Sequence, residues 1–169
     1  MASEASKHIV KVGVGELRVS NDPHALLVTQ SMGSCIGVSV YDPQSHVGGM
    51  MHSMLPSSVI HRGHPNQATL RPCMFVDTGL PTLLDAVCAL GAAKERLIVT
   101  IAGGAQFLKS SPILNVAGKT AATVQELLSQ AGIQSHMVEC GGQYCRTLSL
   151  DIGSGSLTLD APGCASRTL

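Results

Sequence analysis

Apolar positions along this chain follow two rhythms. Short stretches alternate apolar and polar residues, or are rich in β-branched side chains, and turn residues bound each of them; this is the pattern of strands. They are "KVGVGELRVS" (11–20), "ALLVTQ" (25–30), "CIGVSVYD" (35–42), "VGGMMHSML" (47–55), "RLIVTIA" (96–102), "QSHMVEC" (134–140), "RTLSLDI" (146–152) and "GSLTLD" (155–160). In "VSVYD" and "RTLSLDI" the period of two predicts one buried and one more polar face. Two other stretches repeat at helical spacing. Around a helix predicted over 81–90, Leu80, Leu83, Leu84, Val87 and Leu90 form an apolar stripe, with Thr78 as its candidate cap, Pro81 in its first turn and Gly91 at its end. Over 120–131, Val124, Leu127, Leu128 and Ala131 face inward and Gly132 terminates. The polar segment "PSSVIHRGHPNQATLRP" (56–72) reads as a surface loop. The sum is an α/β fold: one layered domain over 9–160, with short mixed or antiparallel strands in sheets and about two main helices packed on them. Residues 1–8 and the tail "APGCASRTL" (161–169) are expected to be flexible. The topology does not follow from the pattern.

Composition narrows the classes. Apolar residues make up 44% of the chain and charged residues 13%, which suits a globular domain and not a disordered one. Eleven basic residues balance eleven acidic ones, and there is no Trp, with only two Tyr and two Phe. A basic face with aromatic stacking platforms is therefore lacking, which excludes nucleic acid as the expected partner. No apolar run approaches the roughly 20 residues of a membrane span, so direct membrane insertion is not expected. The opening "MASEASKHIV" lacks the charged head and apolar centre of a signal peptide. Six cysteines stand scattered at 35, 73, 88, 140, 145 and 164, and reduced thiols in the cytoplasm are the expected state.

Candidate chemistry centres on "TQSMGSCIGVSVYD" and the "GGMMHSMLP" that follows it. Cys35 follows Gly33 and Ser34, residue types that permit a tight turn before a strand and so allow several backbone N–H groups to aim at one point. Such a cluster serves a thiolate, or an oxyanion formed in acyl transfer. His52 lies on the next predicted strand, and a hairpin through "YDPQSHVGG" would bring the thiol and imidazole within about 4 Å of each other. A thiol of ordinary pKa, about 8.5, is mostly protonated at neutral pH and needs such a neighbour. The competing reading is that Cys35 is a small core residue and His52 a satisfied core histidine. Spacing alone leaves both open.

These stretches, taken in order, resemble the chemoreceptor glutamine deamidase family, CheD. The likeness rests on Thr29 six residues before the cysteine of Gly33-Ser34-Cys35, and on His52-Ser-Met-Leu55-Pro56. It continues with "IAGGA" (101–105) and with "ECGG" (139–142) followed by Arg146, and it spans about residues 9–160. The sequence departs from the family pattern in "TQSM" ahead of the Gly-Ser-Cys, in Lys119-Thr120 after Gly118, and in Cys145 where the family has Gly. The resemblance implies a protein-glutamine glutaminase that converts selected receptor glutamines to glutamate, without a cofactor. By the same resemblance Cys35 is the nucleophile, His52 the general base and acid, and Thr29 the residue that orients His52. Gly33, Ser34, Gly103 and Gly104 are candidates for substrate or oxyanion contacts. Implied partners are the cytoplasmic domain of a methyl-accepting chemotaxis receptor and a CheC-type phosphatase.

Three rivals remain. Cys35, His52, His61, His64 and Cys73 are enough ligands for a metal, yet their spacing matches no common zinc motif, and no metal is expected. A thiol redox role lacks a Cys-x-x-Cys pair. A non-catalytic chemotaxis adaptor, binding receptor and phosphatase, would have no physical need for Thr29, Cys35 and His52 together.

Overall fold

The computed structural model describes residues 6–61, 71–106 and 115–169. Strands β1 (His8–Lys11), β2 (Glu16–Ser20), β3 (Ala25–Met32), β4 (Ile36–Asp42) and β5 (Val47–Ser53) precede helix α1 (Val76–Ala89). Then come β6 (Ile98–Gly103), α2 (Val116–Gln130), β7 (Ser135–Cys140), β8 (Arg146–Asp151), β9 (Leu157–Asp160) and β10 (Arg167–Thr168). The described strands form two five-stranded sheets, one ordered β1-β3-β8-β9-β10 and the other β2-β5-β4-β6-β7. Pairing is antiparallel except for β1 with β3 and β6 with β7.

The layers follow from which faces are apolar. Leu27 and Met32 of β3, Leu148 and Leu150 of β8, and Leu157 and Leu159 of β9 pack with Tyr41, Met50 and Ala102 of the second sheet, closing a core between the two sheets. The second sheet's other face carries Ile36, Val38, Val40, Met51, Val99 and Ile101, and it packs on Leu80, Leu83, Leu84 and Val87 of α1 and Val124 and Leu128 of α2. The order is sheet, sheet, helices. The central strands β4 and β5 are buried at every position, whereas β8 alternates between buried and half-buried because only one face is covered. Gly48 and Gly49 mark the squeeze: a Cβ on Gly48 would lie 2.6 Å from Ile152 Cδ1, and one on Gly49 would lie 2.8 Å from Leu83 Cδ1 on the other side.

The expected α/β layering, strand-rich with two main helices, is what the structure has. Its details correct several boundaries. The single strand expected over 11–20 is two strands in different sheets, because the chain turns at Gly15, whose φ of 72° suits a residue without Cβ. Helix α1 starts at Val76, five residues before the expected start, so Pro81 lies inside it, and Phe75 is the N-cap. Thr78 does not cap; its hydroxyl donates to the carbonyl of Pro72. Helix α2 starts at Val116, capped by Asn115, whose side chain accepts from the Gly118 N–H at 2.8 Å. Leu90 and Ala131 sit at the helix ends and are exposed. The tail contributes β10, and Leu169 N–H donates to Leu157 O at 2.8 Å.

Chain reversal between β4 and β5 sets the register on which the candidate site depends. Asp42 ends β4 fully buried, and its carboxylate accepts from Arg96 Nε at 3.0 Å, Arg96 Nη2 at 2.6 Å, and the N–H groups of Ala93 and Gln44 at 2.9 Å each. The Arg96 fork, helped by these N–H donors, holds the Asp42 carboxyl well below the usual carboxylate range. A lowered folded-state pKa means the stabilisation is complete above the unfolded carboxyl value of about 4, and is lost as pH falls below it. Asp42→Asn is expected to cost about 1–2 kcal/mol at pH 7, less than a fully buried pair because Arg96 reaches solvent. Urea melts of parent and variant should differ at pH 7 and converge as the pH is lowered below 4.

Candidate functional site

The site lies at one end of the inter-sheet core. His52, near the end of β5, faces the opposing sheet, and its Nδ1 lies 2.8 Å from the hydroxyl of Thr29 on β3. Both are buried. Thr29 Oγ1 also donates to Val12 O at 2.9 Å. A hydroxyl has one proton, and a carbonyl only accepts, so that proton goes to Val12. Thr29 Oγ1 must then accept from His52 Nδ1–H, which leaves Nε2 as the unprotonated, basic nitrogen. The loop after β1 holds His52 a second time, through a Gly15 N–H bond of 2.8 Å to His52 O.

A bulge makes this placement possible. Strand β3 pairs with β8 in register through Thr29↔Leu148 and then shifts before Met32↔Arg146. Ser31 takes the shift, with a φ of 55°. Residues 29 and 32 would face opposite ways in a regular strand. With the extra residue, both Thr29 and Met32 are buried in the inter-sheet region, Thr29 against His52 and Met32 against Gly37 of β4, where a Cβ would strike the Met32 sulfur.

Cys35 occupies the turn into β4 and is half-buried. Register puts Gly37 opposite His52 and Ile36 opposite Ser53. Gly37 faces the other sheet, and Cys35 stands two residues before it in the turn that leads into β4. The hairpin expected from "YDPQSHVGG" is present, and its register brings the cysteine turn and His52 to the same end of the sheet. Thiol and imidazole are not hydrogen-bonded to each other: His52 Nε2 is buried without a hydrogen-bond partner among the described residues.

The glycines assigned to the site do different jobs. The segment Gly103–Gly104–Ala105 straps the cysteine turn: Gly104 N–H donates to Cys35 O and Ala105 N–H to Gly33 O, both at 2.8 Å. Gly103 and Gly104 have φ of 112° and 65°, and a Cβ on Gly103 would collide with Cys35 O. The Gly104 N–H is therefore committed to the main chain and does not point at an incoming oxyanion. Among the described residues, the N–H groups of Ser34 and Cys35 donate to no backbone carbonyl outside the strand ladders.

Electrostatics favour a neutral resting pair. Burial pushes the Cys35 thiol pKa up and the His52 imidazole pKa down, since both charged forms lose solvation. Cys140 is raised to about 11, chiefly by burial, which marks it as an inert packing thiol. All described cysteines are free. No three His, Cys, Asp or Glu side chains gather as metal ligands among the described residues, and His64 lies outside those residues. Sequence reasoning missed the carbonyl of Val12 and the N–H of Gly15, since a backbone group leaves no residue signature. It gave Arg146 no role, although Arg146 is buried at this same end.

This is an α/β domain of two sheets and two main helices that carries a thiol, an imidazole and a hydroxyl together at one end of its inter-sheet core. The chain belongs to the CheD family: the family described as CheD chemotactic sensory transduction matches residues 54–161. Among its relatives is the probable chemoreceptor glutamine deamidase CheD of Solibacter usitatus, 41% identical over 152 residues, covering 90% of this chain and 88% of that protein. Proteins of the same name from Desulforamulus reducens and Symbiobacterium thermophilum are 38% and 34% identical, over 95% and 98% of this chain and 95% and 99% of their own lengths. No helix among the described residues is long and apolar enough to cross a membrane.

Replacing Thr29 by Val keeps the shape and removes the hydroxyl, leaving Val12 O and His52 Nδ1 without it. A loss of about 1–3 kcal/mol is expected from stranding two buried polar groups. Histidine 15N NMR should report the Nδ1–H form for His52 in the parent and a loss of that preference in the variant.

Proposed function

We propose that this chain is a cysteine-dependent glutaminase that hydrolyses glutamine side chains of chemoreceptors, with Cys35 as nucleophile, His52 as general base and acid, and Thr29 as the residue that fixes His52. The observation that carries this reading is the Val12–Thr29–His52 relay, which leaves a buried, unprotonated Nε2 at the end of the sheet where the Cys35 turn enters β4. The large majority of buried side-chain polar atoms are partnered, so a ring nitrogen left open in a core is a signal of chemistry more than of packing. The names of the relatives supply the substrate class.

The chemistry follows from the neutral pair. As the thiol sulfur attacks the carboxamide carbon, its proton passes to His52 Nε2, and the carbonyl oxygen becomes an oxyanion. The N–H groups of Ser34 and Cys35 are the proposed donors to it. Collapse breaks the C–N bond, the imidazolium returns its proton to the leaving nitrogen, and ammonia departs from a thioester on Cys35. His52 then takes a proton from water as its oxygen attacks the thioester. Expulsion of the sulfur, which recovers the proton, leaves glutamate. Thr29 keeps the ring in the one tautomer that performs both transfers. The same reading places the protein in the cytoplasm, and a CheC-type phosphatase is a proposed partner on the strength of the resemblance.

The test is a mass-spectrometric assay on a chemoreceptor cytoplasmic fragment. Parent protein should convert particular glutamines to glutamate and Cys35→Ala should convert none; conversion that survives Cys35→Ala, or failure of the parent while a CheC-type partner still binds, would favour the adaptor.

The pKa directions give a pH prediction. With the His52 pKa below its ordinary value of about 6.5, the imidazole stays neutral from there upward, so the acid limb of kcat/KM should lie below pH 6.5. With the Cys35 pKa raised, its alkylation by iodoacetamide should climb through pH 8.5 and beyond without a low-pH plateau. A plateau extending to pH 6 would instead indicate a preformed thiolate–imidazolium pair.

A further inference from the structure

Arg146 is a buried cation that the proposed chemistry does not use. It opens β8 and is only 3% exposed, and no carboxylate pairs with it among the described residues. Glu139, near the end of β7, is paired with Arg167 at 2.9 Å. Burying a guanidinium without a counter-ion is costly, so its position calls for a physical reason. Its bonds supply one. Nη1 donates to Gly141 O at 2.7 Å and Gly103 O at 3.3 Å, which are carbonyls at the ends of the parallel neighbours β7 and β6. The Tyr144 ring lies 4.3 Å from the guanidinium carbon, covering it. Nε is buried and without a partner among the described residues.

What Arg146 holds is the strap that holds Cys35. Gly103 O, its acceptor, also receives the Gly141 N–H at 3.0 Å. The next two residues, Gly104 and Ala105, donate to Cys35 O and Gly33 O, and Gln106 N–H donates to Gly142 O at 2.8 Å. Arg146 also stands opposite Met32, at the end of the β3 bulge that leads into Gly33. The cysteine turn is thus gripped through the strap on one side and through β3 on the other, and Arg146 touches both.

We infer that Arg146 is a positioning residue for Cys35, acting through the Gly103–Ala105 strap and not by contact with substrate. The inference rests on the proposed role of Cys35 only for its activity arm; its structural arm is independent of that role. Both bonds leave from Nη1, which the planar guanidinium against the Tyr144 ring holds in a fixed direction; a lysine ammonium is a point charge on a flexible stem, so Arg146→Lys should rescue charge without rescuing the strap.

The experiment uses the full chain and three variants, Arg146→Gln, Arg146→Lys and Gly103→Ala. The last perturbs the strap directly, because its Cβ meets Cys35 O. Two readouts are taken on each: kcat and KM for receptor-fragment deamidation, and the iodoacetamide alkylation rate of Cys35, followed by peptide mass spectrometry at a temperature where circular dichroism shows each variant folded. The expected result is a fall in kcat of about 10- to 100-fold in all three with KM within twofold, the size of effect a small misplacement of a reacting group produces. Cys35 alkylation should rise severalfold in the same variants as the half-buried thiol is released. Unchanged alkylation in folded Arg146→Gln would overturn the inference, even if stability falls, because it would show a strand cap unconnected to the thiol. A rise in KM with kcat unchanged would also overturn it, by making Arg146 a substrate contact. If the parent protein deamidates nothing, the reading of function fails by itself, and the alkylation arm still decides the role of Arg146.

Discussion

Strands β4 and β5 are covered on both faces, and that constraint governs the rest of the molecule. A polar side chain on a strand with no solvent face must find its partner inside the protein. His52 does so with one ring nitrogen, across the gap to the other sheet, and Thr29 completes the bond by passing its own proton to Val12 O. The imidazole is thereby oriented by structure that also closes the inter-sheet core. Its other nitrogen is left buried and, among the described residues, unpartnered. Of the three buried side-chain atoms without a partner among the described residues, Ser45 Oγ, Arg146 Nε and His52 Nε2, only the last is a base, and it lies at the end of the core where the cysteine turn enters β4.

How much of this the sequence made legible depends on which groups carry it. Side chains with helical or two-residue periodicity announced the layers, and the hairpin between β4 and β5 was readable from "YDPQSHVGG". Cys35, His52 and Thr29 were reached through the resemblance, since a lone cysteine and histidine seventeen positions apart do not decide between core and site. Three things were beyond reach for physical reasons. The split of 11–20 into strands of two different sheets depends on one turn at Gly15, inside a run that reads as uninterrupted β. The bulge at Ser31 reverses parity without any glycine to signal it. Backbone donors and acceptors, such as Val12 O and the Gly104 N–H, are present at every residue and so leave no mark in composition.

The two burial effects on Cys35 and His52 act in opposite directions on their pKa values and in the same direction on charge: both keep the group neutral. A neutral pair has consequences. The thiol is protected from adventitious oxidation and alkylation, which need the thiolate. Proton transfer and sulfur attack must then be coupled, and the geometry that couples them matters more than it would for a standing ion pair. That makes the placement of Cys35, to within a fraction of an ångström, the quantity the fold has to control.

The fold controls it with main-chain bonds. The cysteine turn is not a regular part of the ladder; it is held by the Gly104 and Ala105 N–H groups, at a residue pair where a Cβ on Gly103 is sterically forbidden. Such a strap has no side chain of its own to anchor it, so its rigidity must come from what binds its remaining carbonyl. Gly103 O takes one bond from Gly141 N–H and one from Arg146. Removing an ordinary surface arginine would leave those main-chain atoms to water. Here Gly103 lies inside, and without Arg146 its carbonyl would keep only the Gly141 N–H while the half-buried Gly141 O would lose the guanidinium. A guanidinium is suited to this because its carbon can sit against the Tyr144 ring while Nη1, fixed in the guanidinium plane, donates to both strand ends. The cost of burying that cation is set against the order it imposes on the turn above it.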